Sequence, residues 1–443
     1  MDLLPERPMN VFIATIGTRG DVQPYVALGE GMRRAGHDVT VCTSTRYESL
    51  VTERGLGYGR LRDDLVALVE TPEGRNAIAV AGGEIYGVRA LLALIRRSFE
   101  IQRELFRDGW AAVQDADPDV IVYHPKMAIA LHYAERLGVP AAIAPLFPVF
   151  LPTRAYPHPG LPKLQLGDRL TAVYNHATHR LVRGGVSAAC RWLFASWRRT
   201  HGLPPQPWGT GVVRRDDGTR VPFLNGWSPH VVPDPPDWPR RGVQTTGYWF
   251  LDRSAEWTPP STLASFLAAG SAPVYVGFGS MAGRHPERTT RIVLDALRRT
   301  GLRAVLARGW GGIAPEALPA SVHLLDQVPH DWLFPRVAAV VHHGGAGTTA
   351  AGLRAGRPTV ICSFFGDQPF WGRRVHDLGA GPAPIPQNKL TAARLTRALR
   401  TATESPAVRA RAMAIGRKIR RENGVDNAVA FIERLSARHS GRA

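Results

Sequence analysis

The chain has 443 residues and a formal charge of +18 at pH 7, a length that exceeds one compact core and predicts two domains of roughly 200 residues. Its cations are nearly all Arg, with Lys only at 126, 163, 389 and 418, and the same bias toward Ala, Gly and Pro makes the charge read first as a solvated Arg-rich surface. Such a surface also attracts anionic lipid, acidic substrates or nucleic acid. No stretch reaches ~18 uninterrupted apolar residues, which excludes a bilayer-spanning helix. Cys42, Cys190 and Cys362 are odd in number and widely spaced, which excludes a disulfide framework or a CxxC metal site and suits a reducing cytoplasm.

The start, Met1 to Pro8, is acidic and broken by proline, unlike a signal peptide. Asn10 to Thr15 then predicts a buried strand, followed by the turn Gly17-Thr18-Arg19-Gly20-Asp21-Val22-Gln23-Pro24, a helix from about Pro24 to Arg34 and a strand from Asp38 to Cys42. Residues 85–108 read as an amphipathic helix, with Val88, Leu91, Leu92, Leu94, Ile95 and Phe99 making a broad apolar face. Asp119 to Tyr123 and Pro140 to Ala144 predict two more strands, with a helix from Met127 to Leu137 between them. Strands alternating with helices predict parallel βαβ units in a doubly wound α/β sheet. Residues 145–208 break this regularity with Pro, His and aromatics, Phe147, Tyr156, Trp192 and Trp208 among them. They pack helices on the sheet or, as a group, line an apolar pocket.

Prolines from Pro229 to Pro239 predict an extended linker. A second alternating unit opens at Ala272 to Ser280 and continues with strands at Arg303 to Ala307 and Ser321 to Leu325. Neither half has a GxGxxG fingerprint, since Gly277, Gly279 and Gly283 are mis-spaced. The apolar run Val337 to Val341 predicts a strand buried on both faces. It ends at His342-His343-Gly344-Gly345-Ala346-Gly347-Thr348-Thr349, with a helix over Thr348 to Ala355, a C-cap at Gly356 and a further strand at Pro358 to Cys362. Glycines let a ligand reach the backbone, and a helix start offers N–H groups and the positive end of a dipole, so this turn predicts an anion site, most simply for a diphosphate.

Ser280, Trp310, Val328 with Pro329-His330, His343 to Thr348 and Asp367-Gln368 each follow a predicted strand of the second half, so they meet at the carboxyl ends of a parallel sheet. In this order they resemble the nucleotide-sugar site of the family 1 glycosyltransferases. The likeness is to the branch of sterol and glycopeptide-antibiotic glucosyltransferases, whose marks are a Gly-Thr-Arg-Gly-Asp turn near the N-terminus and a His-His-Gly-Gly-Ala-Gly-Thr turn near the C-terminus.

The resemblance implies a GT-B fold, two facing Rossmann-like domains with parallel sheets and an interdomain cleft. It divides the chain into an acceptor domain over 1–232, a donor domain over 233–424 and a C-terminal helix within 425–443 that packs back on the first domain. It implies that His343 contacts the diphosphate, that Gly345, Gly347 and Thr348 hold phosphate oxygens, and that Ser280 reaches the same group. Val328 would read the base through its backbone with Trp310 nearby, and Asp367 and Gln368 would bind sugar hydroxyls. An imidazolium at His343 and the helix dipole would stabilise the leaving diphosphate without a metal or other cofactor. Asp63-Asp64 and Asp216-Asp217 look like a metal-binding pair but read as solvated loop carboxylates, and His342 reads as structural. The longer Trp-containing donor box of the plant branch is absent, which leaves uridine or thymidine diphosphate open.

By the same resemblance Asp21, three residues before Pro24, is the catalytic base, the plainer alternative for an Asp there being a helix N-cap. With an ordinary pKa of ~3.9 it must gain strength from position and burial, and Arg19 should point elsewhere. His124, after the strand ending at Tyr123, is its candidate partner. The expected activity is inverting transfer of a hexose, glucose above all, from a nucleoside diphosphate sugar to a hydroxyl of a hydrophobic sterol, polyketide or lipid acceptor in the cytoplasm. The expected partners are those two small molecules and no nucleic acid, with peripheral membrane contact and oligomeric state left open. A nucleotide-sugar epimerase, a cell-wall lipid transferase and a non-catalytic sugar-nucleotide-binding accessory protein are the alternatives.

Overall fold

The structure, a computed structural model, describes residues 8–63, 88–278, 286–308 and 318–441. They form two compact units, Met1–Gly226 with Asp234–Phe250 and Asn423–Ala443, and Trp227–Pro233 with Leu251–Glu422. In the first unit the strands are β1 (Asn10–Ala14), β2 (Asp38–Ser44), β3 (Gly57–Leu61), β4 (Val120–Tyr123), β5 (Ala141–Ile143), β6 (Phe223–Asn225) and β7 (Val243–Thr245). They lie in the order β3-β2-β1-β4-β5-β6-β7, and every pairing is parallel. Chain order reverses between β1 and β4, where Ala14 sits beside Tyr123. Loops leaving the carboxyl ends of these two strands diverge there and leave a crevice.

The second unit repeats the plan with β8 (Val274–Gly277), β9 (Ala304–Ala307), β10 (Val322–Leu325), β11 (Ala339–His342) and β12 (Thr359–Ile361), ordered β10-β9-β8-β11-β12 and again parallel. Its reversal falls between β8 and β11, with Gly277 beside His342. Alternate residues of each strand feed opposite cores: Val274, Val276 and Val341 pack with one set of side chains, Tyr275, Val305 and Val340 with the other. Burial on both faces explains why these strands read as unbroken apolar runs.

The helices that bear on function are α1 (Arg19–Arg34), α2 (Val88–Ala116), α3 (Ala130–Leu137), α4 (Asp168–Thr200), α5 (Ala346–Arg354), α6 (Gln368–Asp377) and α7 (Gly424–Ser440). Helix α1 starts five residues before Pro24, where the sequence had suggested its beginning. Proline in the second turn forfeits one backbone bond, and a capping box between Thr18 and Asp21 holds the first turn instead. The region 145–208 contains the long helix α4, and its aromatics part company rather than line one pocket. Phe194 and Trp197 are buried against Phe106, Trp110 and Tyr133, whereas Trp192 and Trp208 are exposed. Among the described residues no helix is long and apolar enough to cross a membrane.

Helix α7 lies on α1, and a Cβ on Gly31 of α1 would overlap the Val425 side chain of α7. His37 and Glu433 add a 3.2 Å polar contact near the same seam. Gly31→Val should therefore overpack the seam and destabilise this unit by about 1–3 kcal/mol, read as an earlier urea midpoint.

Candidate active site

In the first unit the crevice is built from the turn after β1 and the turn after β4. Gly17 has φ +136°, and a side chain there would overlap the Asp21 carboxylate, so glycine is required by conformation and by space. Asp21 stands at the third position of α1, where its Oδ2 accepts the Thr18 N–H at 2.8 Å and the Thr18 hydroxyl at 3.0 Å. The capping and the candidate catalytic role thus fall on one side chain, and the cap fixes its rotamer. Arg19 donates through Nε to Gln23 at 3.2 Å, and the cation that meets Asp21 is Lys126, with Nζ at 2.9 Å from Oδ2. Lys126 lies outside the motifs that mark the turn. A signal was present, since it is one of four lysines in an Arg-rich chain and lies two residues after His124.

His124 is buried, and its Nδ1 accepts the Lys126 N–H at 3.0 Å. Its Nε2 therefore carries the proton in the neutral ring and points at Asp21 Oδ1 from 3.5 Å. Burial pushes His124 down to about 3, so it is neutral at physiological pH. Burial also works to raise Asp21, but Lys126, then His124, and the Thr18 N–H outweigh it and hold the carboxyl below its ordinary value. The group is an ionised, oriented acceptor of protons. His124 has no second acceptor through which to relay one, because its other nitrogen is committed to the backbone.

In the second unit, His342 ends β11 fully buried, and its Nδ1 accepts the Gly344 N–H at 2.9 Å, which ties down the turn. Gly344 has φ +97°, and a Cβ there would approach Ile361 Cγ2 to 2.7 Å. Gly345 is the N-cap of α5, and a Cβ on it would lie 2.6 Å from His343 Nε2, so the imidazole rests over bare backbone. Helix α5 begins at Ala346, two residues before its expected start. The first helical bond is Thr349 N–H to Gly345 C=O at 3.0 Å, so Ala346, Gly347 and Thr348 supply the amides that a helix start leaves without intrahelical acceptors. The Thr349 hydroxyl is committed to Gly345 C=O at 2.9 Å.

His343 is half-buried, and burial lowers it to about 4. In the unliganded protein burial thus leaves it a neutral imidazole at physiological pH, while the expected imidazolium concerns the occupied site. Its Nδ1 has no hydrogen-bond partner among the described residues. An incoming dianion would find a ring donor and a helix N-terminus, and would itself draw the histidine toward protonation.

Gln368 is buried at the start of α6, and its Oε1 accepts the Phe364 and Phe365 N–H groups at 2.8 and 3.4 Å. What it can present to a sugar is therefore its NH₂ group. Asp367 accepts the Trp371 indole N–H through Oδ2 at 2.8 Å, which orients the carboxylate. Val328 follows β10 and packs against the core cluster that contains Tyr275, Leu325 and Trp332. Ser280 and Trp310 lie outside the described residues. The paired carboxylates elsewhere have protein partners: Asp63 accepts from the Thr45 hydroxyl, Asp216 pairs with buried Arg198, and Asp217 closes a turn through Thr219. Asp64 falls outside the described residues.

Residues 11–157 match the glycosyltransferase family 28 N-terminal domain, and residues 310–426 match the erythromycin biosynthesis protein CIII-like C-terminal domain. A sterol 3-beta-glucosyltransferase of Arabidopsis thaliana is 36% identical over 451 residues, spanning 98% of this chain and 67% of the plant protein. A sterol 3-beta-glucosyltransferase of Emericella nidulans is 36% identical over 97% of this chain, which covers 30% of the fungal protein. Among solved structures, the kitacinnamycin glycotransferase superposes with a TM-score of 0.68 at 22% identity, over 97% of this chain and 99% of its own. The glycosyltransferase VinC, solved in complex with DTDP, superposes with a TM-score of 0.64 at 20% identity, over 97% and 99% of the two chains. This chain belongs to the family of the sterol 3-beta-glucosyltransferases, glycosyltransferases of the GT-B fold.

The Lys126 ammonium is expected to set the acid limb of activity. Lys126→Met removes a charge that favours the ionised carboxylate, so Asp21 should titrate at higher pH and the acid limb of kcat/KM should move up. A pH–rate profile of variant against wild type checks the direction, and coincident limbs would mean that Asp21 does not set the acid limb or that Lys126 does not control it.

Proposed function

We propose that the protein moves a hexose, glucose first among them, from a nucleoside diphosphate to a hydroxyl of a hydrophobic acceptor of sterol or natural-product type, with inversion at the anomeric carbon. The observation that carries this reading is the Asp21 carboxylate: ionised, one-fifth exposed, and held by Thr18 and Lys126 at the reversal of the first sheet. In the proposed step Asp21 takes the acceptor proton as the acceptor oxygen bonds to the anomeric carbon. The bond from that carbon to the phosphate oxygen breaks, and its electron pair leaves on the diphosphate. One displacement inverts the centre.

For the leaving group we assign the amides of Gly347 and Thr348 and the half-buried His343, with Gly345 keeping the backbone accessible. Fixed donors aimed at developing negative charge are effective because they need not reorganise. The sugar hydroxyls are assigned to the Gln368 NH₂ and to Asp367, Ser280 joins the diphosphate contacts, and Val328 with Trp310 serves the base. His124 is assigned to orient Asp21. The reaction so written needs no metal or other cofactor. The curated relatives' names support glucose and a sterol hydroxyl as the first pair to test. The free Cys42, Cys190 and Cys362 suit a cytoplasmic setting.

The test is product mass after incubation with UDP-glucose or TDP-glucose and a panel of sterol, flavonoid and macrolide acceptors. Transfer should survive EDTA. Asp21→Asn keeps an oxygen able to accept the Thr18 N–H, so α1 should stay capped while turnover falls about 10²- to 10⁴-fold. Nucleotide binding, measured by calorimetry, should be unchanged in that variant. Nucleotide binding without transfer by the wild type to any acceptor would support the accessory reading instead.

A further inference from the structure

Helix α4 carries large apolar residues on its outer side. Leu170, Val173, Leu181 and Trp192 are 64%, 63%, 73% and 64% exposed. At 3.6 residues per turn they share one face with the exposed small residues Ala177, Gly184 and Ala188, while Thr178, His179, Phe194 and Trp197 anchor the opposite face in the core. Trp208, 78% exposed, follows close by, with the Arg191 guanidinium 4.4 Å above its ring. Of the ten large apolar side chains exposed among the described residues, seven fall between Leu164 and Trp208. A stripe of this kind on a folded domain marks a surface that meets something apolar.

The charge beside it narrows the partner. Between Glu135 and Asp216 the chain has eleven Lys and Arg residues and a single acid, Asp168. Arg183 on α4 is lowered first by burial and then by the like charges of Arg180, Arg214 and Arg220, so these guanidinium groups lie close together. Arg214 and Arg220 pair across a short antiparallel bridge. A second copy docked through the same face would set this cationic group against itself. Nucleic acid would satisfy the cations but leave the Leu and Val side chains without use. An apolar stripe flanked by Arg is the pattern of a helix that lies in the interface of an anionic membrane.

We propose that the outer face of α4, with Arg180, Arg183, Arg214 and Arg220 beside it, docks this protein on the surface of an anionic lipid bilayer. The apolar side chains enter the headgroup boundary, and the guanidinium groups meet lipid phosphates. Contact stays peripheral and salt-sensitive. None of these residues belongs to the transfer machinery assigned above, so the surface stands or falls separately from the glycosyl-transfer reading.

Cosedimentation of the full chain with vesicles of phosphatidylcholine alone, or of phosphatidylcholine and phosphatidylglycerol in equal parts, tests this. The protein should pellet with the mixed vesicles, stay in solution with the neutral ones, and be released by salt. Leu170→Ser with Leu181→Ser should weaken binding about tenfold or more. Arg180→Gln with Arg183→Gln should weaken it by at least about fivefold. All these positions except Arg183 are largely exposed, so melting temperatures should stay close to wild type, and Arg336→Gln in the second unit should bind as wild type does. Absence of binding to anionic vesicles, or equal binding by wild type and both double variants, would overturn the proposal. So would a dimer in light scattering that the Leu170/Leu181 variant dissolves, which would make a second copy the occupant.

Discussion

A strand in a parallel sheet can reach its neighbour only by a crossover, and wherever successive crossovers run in opposite directions the loops at the strand ends part. That happens once in each sheet, between β1 and β4 and between β8 and β11. Four of the residues singled out for chemistry lie there. Asp21 leaves β1, His124 and Lys126 leave β4, and His343 leaves β11. Glycines at 17 and 345 follow from the same constraint, because a Cβ there would overlap Asp21 or His343 where it folds back on its own turn, whereas Gly344 is required by its positive φ and by the closeness of Ile361.

The two reversals are tuned in opposite electrostatic senses. In the first, an ammonium and a helix start both favour a negative side chain, and the result is a fixed carboxylate. Such stabilisation makes Asp21 a weaker base, so in the proposed reaction it would contribute through orientation and constant ionisation more than through proton affinity. In the second, the helix start faces no protein anion among the contacts described, and burial keeps the nearby imidazole uncharged. An uncharged imidazole there avoids setting a cation against the positive end of the helix dipole.

The basic composition gains a second meaning from α4. Scattered Arg is expected of an Arg-biased chain, but a long stretch holding one acid, lying beside exposed Leu and Trp, is local. Buried Arg198 shows the contrast on the same helix: it is held by Glu135 and Asp216, while Arg180 and Arg183 sit among other cations. One helix thus divides its arginines between an internal ion-pair network and an outward face.

Much of this was legible in the sequence, because the signals are local. Both-face burial gives apolar runs such as Val337 to Val341, glycine marks turns that only it can make, and a short polar residue before an amphipathic run starts a helix. Those rules act over a few residues, so strand, turn and helix after β11 could be read directly, as could the Asp21 turn. The early start of α1 was hidden because Pro24 looked like a boundary, when the capping box had already secured the turn before it. Strands β3, β6 and β7 carry little local signal, since β3 contains two glycines and β6 and β7 have three residues each and derive their order from neighbours. Tertiary structure alone decided that Lys126 rather than Arg19 meets Asp21, that His343 is neutral, and that α4 turns Leu181 and Trp192 outward. Each of these depends on what lies across space from a side chain, and charge, protonation and exposure are set by that surrounding rather than by neighbours along the chain.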